Sequence, residues 1–220
     1  MRLSAILLDH SFGKVPTTYA LSALMHLNAA RLPARVDESG NLNSLFDQDR
    51  SKWDQELMVR GLTLLDLSAT GSKITEYHLE AAIASIHTQA ARVEETDWEA
   101  IVSLYDKLIG IRQSPIVALS RAIAVAQLKG AERGLEEIRA IPDGQRLAHY
   151  PFYYAALGEF ELRIGRQENA RQQFERALDL ARNSMERRFL RQKINACAGA
   201  KSDPSTGNGL EKTHAAAGHF

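Results

Sequence analysis

The chain has 220 residues, 45% of them hydrophobic and 25% charged, so it can bury a real core and lacks a disordered composition. Its 27 basic residues are balanced by 27 acidic ones, whereas a free-standing nucleic-acid binder needs a basic excess to displace counterions from phosphates. The single cysteine, Cys197, excludes an intramolecular disulfide and a cysteine-cluster metal site.

The opening apolar run ends at Asp9-His10 without a small-residue cleavage pattern. It therefore reads as a helix fragment over 1–15 rather than a signal peptide. No stretch reaches the roughly 18–20 apolar residues of a membrane span, and the chain is expected in the cytosol. Leu21, Leu24, Met25 and Leu27 predict a helix over 17–30, with Pro16 at its first turn. Over 31–48 the periodicity breaks at Pro33 and Ser39-Gly40, giving a long internal loop of the kind that carries function. A helix over 50–68 follows on Trp53, Leu57, Leu64, Leu65 and Leu67, and another over 76–90 on Leu79, Ala82, Ile83 and Ile86.

Thr96 with Glu99 three residues on reads as a capping box for a helix through Ile101, Tyr105 and Leu108. Ser114-Pro115 opens a helix over 117–129 that Gly130 closes, and a shorter helix is expected over 132–140. Between Pro151 and Arg182 the chain carries Tyr154, Leu157-Gly158, Gly165, Ala170, Phe174 and Ala177. That is the spacing of a tetratricopeptide helix pair, with Glu161 where an aromatic is usual and Arg182 in place of the terminal proline. A weaker copy upstream uses Tyr105, Pro115, Gly130 and Leu135. One pair cannot bury its own face, so an array of at least three pairs is expected over 16–198. Asn183 with Glu186 starts a last, capping helix, and 199–220 reads as a disordered tail.

No phosphate loop, nucleophile elbow or zinc-protease helix occurs, so neither an enzyme nor a cofactor or metal is expected. His78 and His87 fall on opposite faces of one helix, which suits a buried structural histidine better than a shared metal. The densest polar run, Asp47-Gln48-Asp49-Arg50-Ser51-Lys52-Trp53-Asp54, admits three readings. It is a helix start, with Asp49 or Ser51 as cap, Asp54 as first-turn charge and Trp53 as anchor. It is a contact surface for a partner, in which Arg50 bonds neighbouring carboxylates or loop carbonyls and pins the loop. It is, last and weakest, a hard-cation site on Asp47, Asp49 and Asp54. Arg182, Arg187, Arg188, Arg191 and Lys193 against Glu186 form a basic cluster, either solvated helix-end charge or a contact for an acidic partner. The candidate partner-binding residues are Arg35, Asp47, Asp49, Arg50, Arg187, Arg188 and Arg191.

Several segments together carry a more specific likeness. They are Ala34-Arg35-Val36-Asp37, the run 47–53, Tyr77-His78-Leu79-Glu80-Ala81-Ala82-Ile83-Ala84, Thr96-Asp97-Trp98, Leu104-Tyr105-Asp106, Ser114-Pro115-Ile116-Val117-Ala118-Leu119 and Glu186-Arg187-Arg188-Phe189-Leu190. In order and spacing over about 17–197, they resemble the C-terminal, tetratricopeptide-like extension of bacterial extracytoplasmic-function RNA polymerase sigma factors. The group in question is associated with DGPF/YCII-like proteins. Ser120 stands where members commonly carry Asn, and the sigma regions that precede the extension in that family are absent from these 220 residues. The resemblance implies an all-α superhelix of antiparallel helix pairs and a role in transcription initiation through sigma regions, polymerase or a regulator. Promoter reading does not carry over, so this chain alone is expected to bind promoter DNA no better than random DNA. The alternative is a free-standing tetratricopeptide adaptor unrelated to transcription.

Overall fold

The structure, a computed structural model, describes residues 2–199; the tail expected beyond them lies outside the described residues. Among the described residues ten α-helices follow in order: α1 (Arg2–Asp9), α2 (Pro16–Ala30), α3 (Gln55–Ser68), α4 (Glu76–Gln89), α5 (Trp98–Ile111), α6 (Pro115–Lys129), α7 (Ala131–Arg139), α8 (Pro151–Arg163), α9 (Gln167–Leu180) and α10 (Ser184–Gly199). No strand occurs among the described residues, and the one isolated bridge, Val36 with Leu42, lies inside the loop 31–48. The all-helical expectation is met. Each helix packs on its neighbour in the chain, and α2 also touches α4.

Helix ends follow the local chemistry, with three corrections. The helix expected from residue 50 begins only at Gln55, because Asp54 is its cap: extended (φ −69°, ψ 106°), its carboxylate accepts from Leu57 N–H. Residues Arg50–Lys52 form a separate 3₁₀ turn capped by Asp49, which accepts from Ser51 N–H. Trp53, between the two caps, is driven into the core. At α5 the cap is Asp97, which accepts from Ala100 N–H at 2.9 Å, and not the Thr96–Glu99 pair. Thr96 is used elsewhere, as described below. Ser114 makes no side-chain cap for α6, where Pro115 sets the first turn. Asn183 and Glu186 do open α10 as expected: Glu186 N–H donates to Asn183 Oδ1, and Glu186 accepts from Arg182 N–H at 2.9 Å.

Close approach between helices depends on small residues. A Cβ on Gly158 of α8 would stand 2.8 Å from the ring of Phe174 on α9, and Phe174 is fully buried beside Ala170 and Ala177. Gly134 of α7 faces Ala126 and Phe160 in the same way, and Gly61 of α3 faces Leu27. Two clusters fill the second half of the molecule, one around Leu119, Leu135, Ile138, Leu147 and Phe160, the other around Phe174 and Leu190. Glu161, where the repeat spacing expects an aromatic, is buried and held by Arg139 at 3.6 Å and Arg166 at 3.5 Å. Ion pairing answers there for an absent ring. Gly110 of α5, by contrast, has open space where its Cβ would be.

These contacts separate two substitutions that look alike in sequence. Gly110→Ala should leave stability unchanged or raise it by up to about 1 kcal/mol, because a methyl in open space only improves helix propensity. Gly158→Ala should instead lower it, the clash with Phe174 costing about 1–3 kcal/mol against the same propensity gain. Urea denaturation of both variants checks the ordering.

Candidate functional site

The loop 31–48 leaves α2 through the 3₁₀ turn Leu32–Ala34 and doubles back at Gly40, whose φ of 78° suits glycine. The turn is built on Asp37. Its carboxylate accepts from Ser39 N–H (2.9 Å), Asn41 N–H (2.8 Å) and Asn41 Nδ2 (3.0 Å), and the Asn41 bonds above all hold its carboxyl below the usual range. Asn43 N–H donates to Arg35 O, and Asn43 Nδ2 donates to Ala34 O. The loop thus satisfies part of its backbone from within. From α10, Arg188 reaches across and donates to Ser39 O at 3.2 Å.

Arg50 fixes the other end. Only 9% exposed, its guanidinium lies 5.3 Å over the Trp53 ring and donates to three acceptors: His87 O (3.0 Å), Ala90 O (2.8 Å) and Thr96 Oγ1 (3.0 Å). Two of these are carbonyls at the C-terminal end of α4, where a cation also meets the favourable end of the helix dipole. Arg50 was expected to bond neighbouring carboxylates or loop carbonyls and to face a partner. Its donors are spent inside the fold, on acceptors some forty residues away that include the Ala90 carbonyl just beyond α4. His87 beside it is 6% exposed and set edge-on to Trp98 at 5.4 Å. Burial, with Arg31 and Arg50 close by, pushes its imidazole down to about 3.

The three carboxylates of the hard-cation reading do not converge. Asp47 accepts from Ser44 Oγ (2.6 Å), Asp49 from Ser51 Oγ (2.6 Å), and Asp54 caps α3. Among the described residues no group of three or more His, Cys, Asp or Glu could hold a metal ion. Arg187, Arg188 and Arg191 are exposed along one stripe of α10, and neither Arg187 nor Arg191 has a carboxylate partner among the described residues. Lys193 of the same cluster turns the other way and pairs with Glu159 at 3.0 Å.

A cavity of about 550 Å³ lies between the loop and helices α6, α8 and α10. The loop contributes Leu42, Leu45 and Phe46, while α8 and α10 contribute Phe152, Phe160 and Phe189. Phe46 packs on Trp98 at 5.9 Å and under Arg163 at 5.7 Å. Arg163 and Lys193 share Glu159, but Arg31 and Arg35 at the loop's root have no carboxylate partner among the described residues. Arg31 rests on the Trp53 face at 5.6 Å with its Nε buried and unpartnered. Burial first, then Arg35 and Arg50, push its guanidinium down to about 10.

The comparisons with known proteins cover this region. DUF6596, a family of unknown function, matches residues 1–69, which hold the loop, Arg31, Arg50 and Trp53. An uncharacterized protein of Rhizobium meliloti (strain 1021) is 36% identical over 206 residues, covering 94% of this chain and 47% of that protein. The chain thus spans about half the length of the curated relative it matches. No solved structure matches it. Among the described residues, no helix is long and apolar enough to cross a membrane.

Sequence reasoning named Arg35, Arg188 and the loop as candidates; Arg188 bonds the loop at Ser39, while Arg35 lines the cavity. It missed Arg31, which reads as an ordinary charge at a helix end, and Gln127 and Arg163, which have no local pattern at all. Phe46 carried a usable signal, being a lone aromatic inside a polar loop.

Arg50→Ala should destabilise the chain by about 2–4 kcal/mol, since it strips a charged donor from three acceptors and leaves them unpaired. A denaturant titration reads this directly. Stability should also fall in acid through His87. Its folded pKa of about 3 lies below the unfolded 6.5, so its contribution is complete above 6.5 and is lost as pH falls towards 3. The slope should be roughly 1 kcal/mol per pH unit, and His87→Leu should flatten it when unfolding is followed between pH 7 and 4.

Proposed function

We propose that this chain is a regulatory, protein-binding domain of an extracytoplasmic-function sigma factor. On this reading its helix pairs form a tetratricopeptide-like superhelix, and it acts in transcription initiation by contacting sigma regions, RNA polymerase or a regulator. The observation that carries the reading is the stripe of Arg187, Arg188 and Arg191 on α10, exposed and joined to the loop 31–48 by the Arg188–Ser39 bond. Uncompensated arginines at a surface are suited to steering an acidic partner into place. Apolar area for such a contact is present at the other end, where Ile6, Leu7 and Phe12 are 63%, 51% and 87% exposed.

Further support comes from the fit of Gly158, Ala170, Phe174 and Ala177 to the close helix contact that the repeat spacing requires. A relative about twice as long supports a domain that works joined to another. The segments over 17–197 that resemble the sigma-factor extension supply the transcriptional context.

The test is a direct binding measurement between this chain and, separately, the sigma regions and core RNA polymerase of the same host. The double charge reversal Arg187→Glu with Arg191→Glu should weaken binding by about tenfold or more, because each removed attraction becomes a repulsion. Its melting temperature should stay near that of the unaltered chain, since neither side chain has a salt-bridge partner among the described residues. An unaltered chain that binds neither partner, or a reversed variant with full affinity, would sink the reading.

A further inference from the structure

We propose that the cavity between the loop 31–48 and helices α6, α8 and α10 binds a small amphipathic carboxylate, its head taken by Arg31 and Arg35 and its apolar chain lying against the phenylalanines of α8 and α10. The site is independent of the protein-binding reading above.

Size and lining come first. At about 550 Å³ the cavity falls within the range of small-molecule sites, which are mostly apolar with a few converging polar groups. Its walls are aromatic and aliphatic, with Phe46, Ile123, Phe152, Phe160, Met185 and Phe189 among them. An inorganic anion would leave such walls unfilled, so the ligand needs an apolar body.

Charge selects the head group. Four cations line the cavity: Arg31, Arg35, Arg163 and Lys193. Arg163 and Lys193 are both neutralised by Glu159, at 3.3 and 3.0 Å. The other two acids lining it are engaged as well, Asp47 with the Ser44 hydroxyl and Glu186 in capping α10. Arg31 and Arg35 alone face the cavity with no carboxylate and no side-chain hydrogen bond among the described residues. Holding a largely buried guanidinium without an acceptor is costly, and a carboxylate offers the planar, two-pronged match to it. Gln127 adds a donor: its Oε1 accepts from Arg163 at 3.2 Å while its Nε2 is buried and unpartnered.

The loop also permits entry. Many of its hydrogen bonds run within 31–48, and from α10 Arg188 donates to Ser39 O at 3.2 Å. Moving the loop outward breaks that bond and the Phe46 contacts with Trp98 and Arg163.

Isothermal titration of the full chain with decanoate, against neutral decanamide, tests the proposal. Decanoate should bind one-to-one and about tenfold or more tighter than the amide, the difference measuring the guanidinium contribution. Arg35→Gln, an exposed position that leaves the fold alone, should bring decanoate down to the affinity of the amide. Arg31→Gln should do the same where circular dichroism shows it folded. Ala155→Trp, which fills the cavity from α8, should abolish binding of both compounds. The proposal is overturned if decanoate does not bind or binds no tighter than decanamide. It is equally overturned if Arg35→Gln keeps full affinity, or if several molecules bind regardless of Ala155→Trp.

Discussion

A guanidinium buried without a salt-bridge partner among the described residues organises the first half of this molecule. Arg50 lies on the Trp53 ring and spends its donors on the carbonyls of His87 and Ala90 and the hydroxyl of Thr96. Those acceptors close α4 and precede α5, so one side chain joins the segment before α3 to the junction of the next helix pair. Without it the last carbonyls of α4 would be buried and unpaired, which is worse than an apolar core. The position of the loop 31–48 follows, because Asp54 N–H donates to Ala30 O and Trp53 is locked between the two caps. The two ends of the loop are thereby held together, and its tip is carried over towards α10.

The second half depends on a different constraint, the distance at which helices can pass. Gly134 and Gly158 leave room for Phe160 and Phe174, and a methyl at either glycine would stand under 3 Å from a ring. Both phenylalanines are fully buried as a result, and they supply much of the apolar area in that half. Because α8 and α9 are set by this contact, the faces of Phe152, Glu159 and Arg163 are fixed as one wall of the cavity. Packing in the core thus determines what the cavity can recognise.

Helix number, type and order were legible from periodicity and caps, since apolar spacing and turn residues act locally. The Asn183–Glu186 start of α10 and the loop 31–48 lay where the sequence placed them. What misled was competition between caps. Thr96 and Asp97 both suit a helix start, and only the distant Arg50 decides that Thr96 is occupied and Asp97 takes the role. Asp49 and Asp54 likewise both suit a start, and each caps its own turn, so the expected single helix divides. Arg50 was read as part of a helix start and as a partner contact, but the sequence cannot show that His87 and Ala90 come back to meet it.

Charge balance carries a related lesson about function. Equal numbers of acids and bases gave no expectation of a general nucleic-acid binder, and yet the balance is not local. Many of the acids are consumed by the fold: Asp37 builds a turn, Asp49, Asp54, Asp97 and Glu186 cap, and Glu159 and Glu161 each serve two cations. Arginines have no such use at helix N-termini, where the dipole disfavours them. Several acids are thereby withdrawn into backbone contacts, and among the described residues Arg31, Arg35, Arg187 and Arg191 are among the cations without a salt-bridge partner. Those four stand at the root of the loop and on the helix its tip touches. A sequence of zero net charge thereby gathers four cations without salt-bridge partners around the loop, which suits the anionic ligand and the acidic partner proposed above.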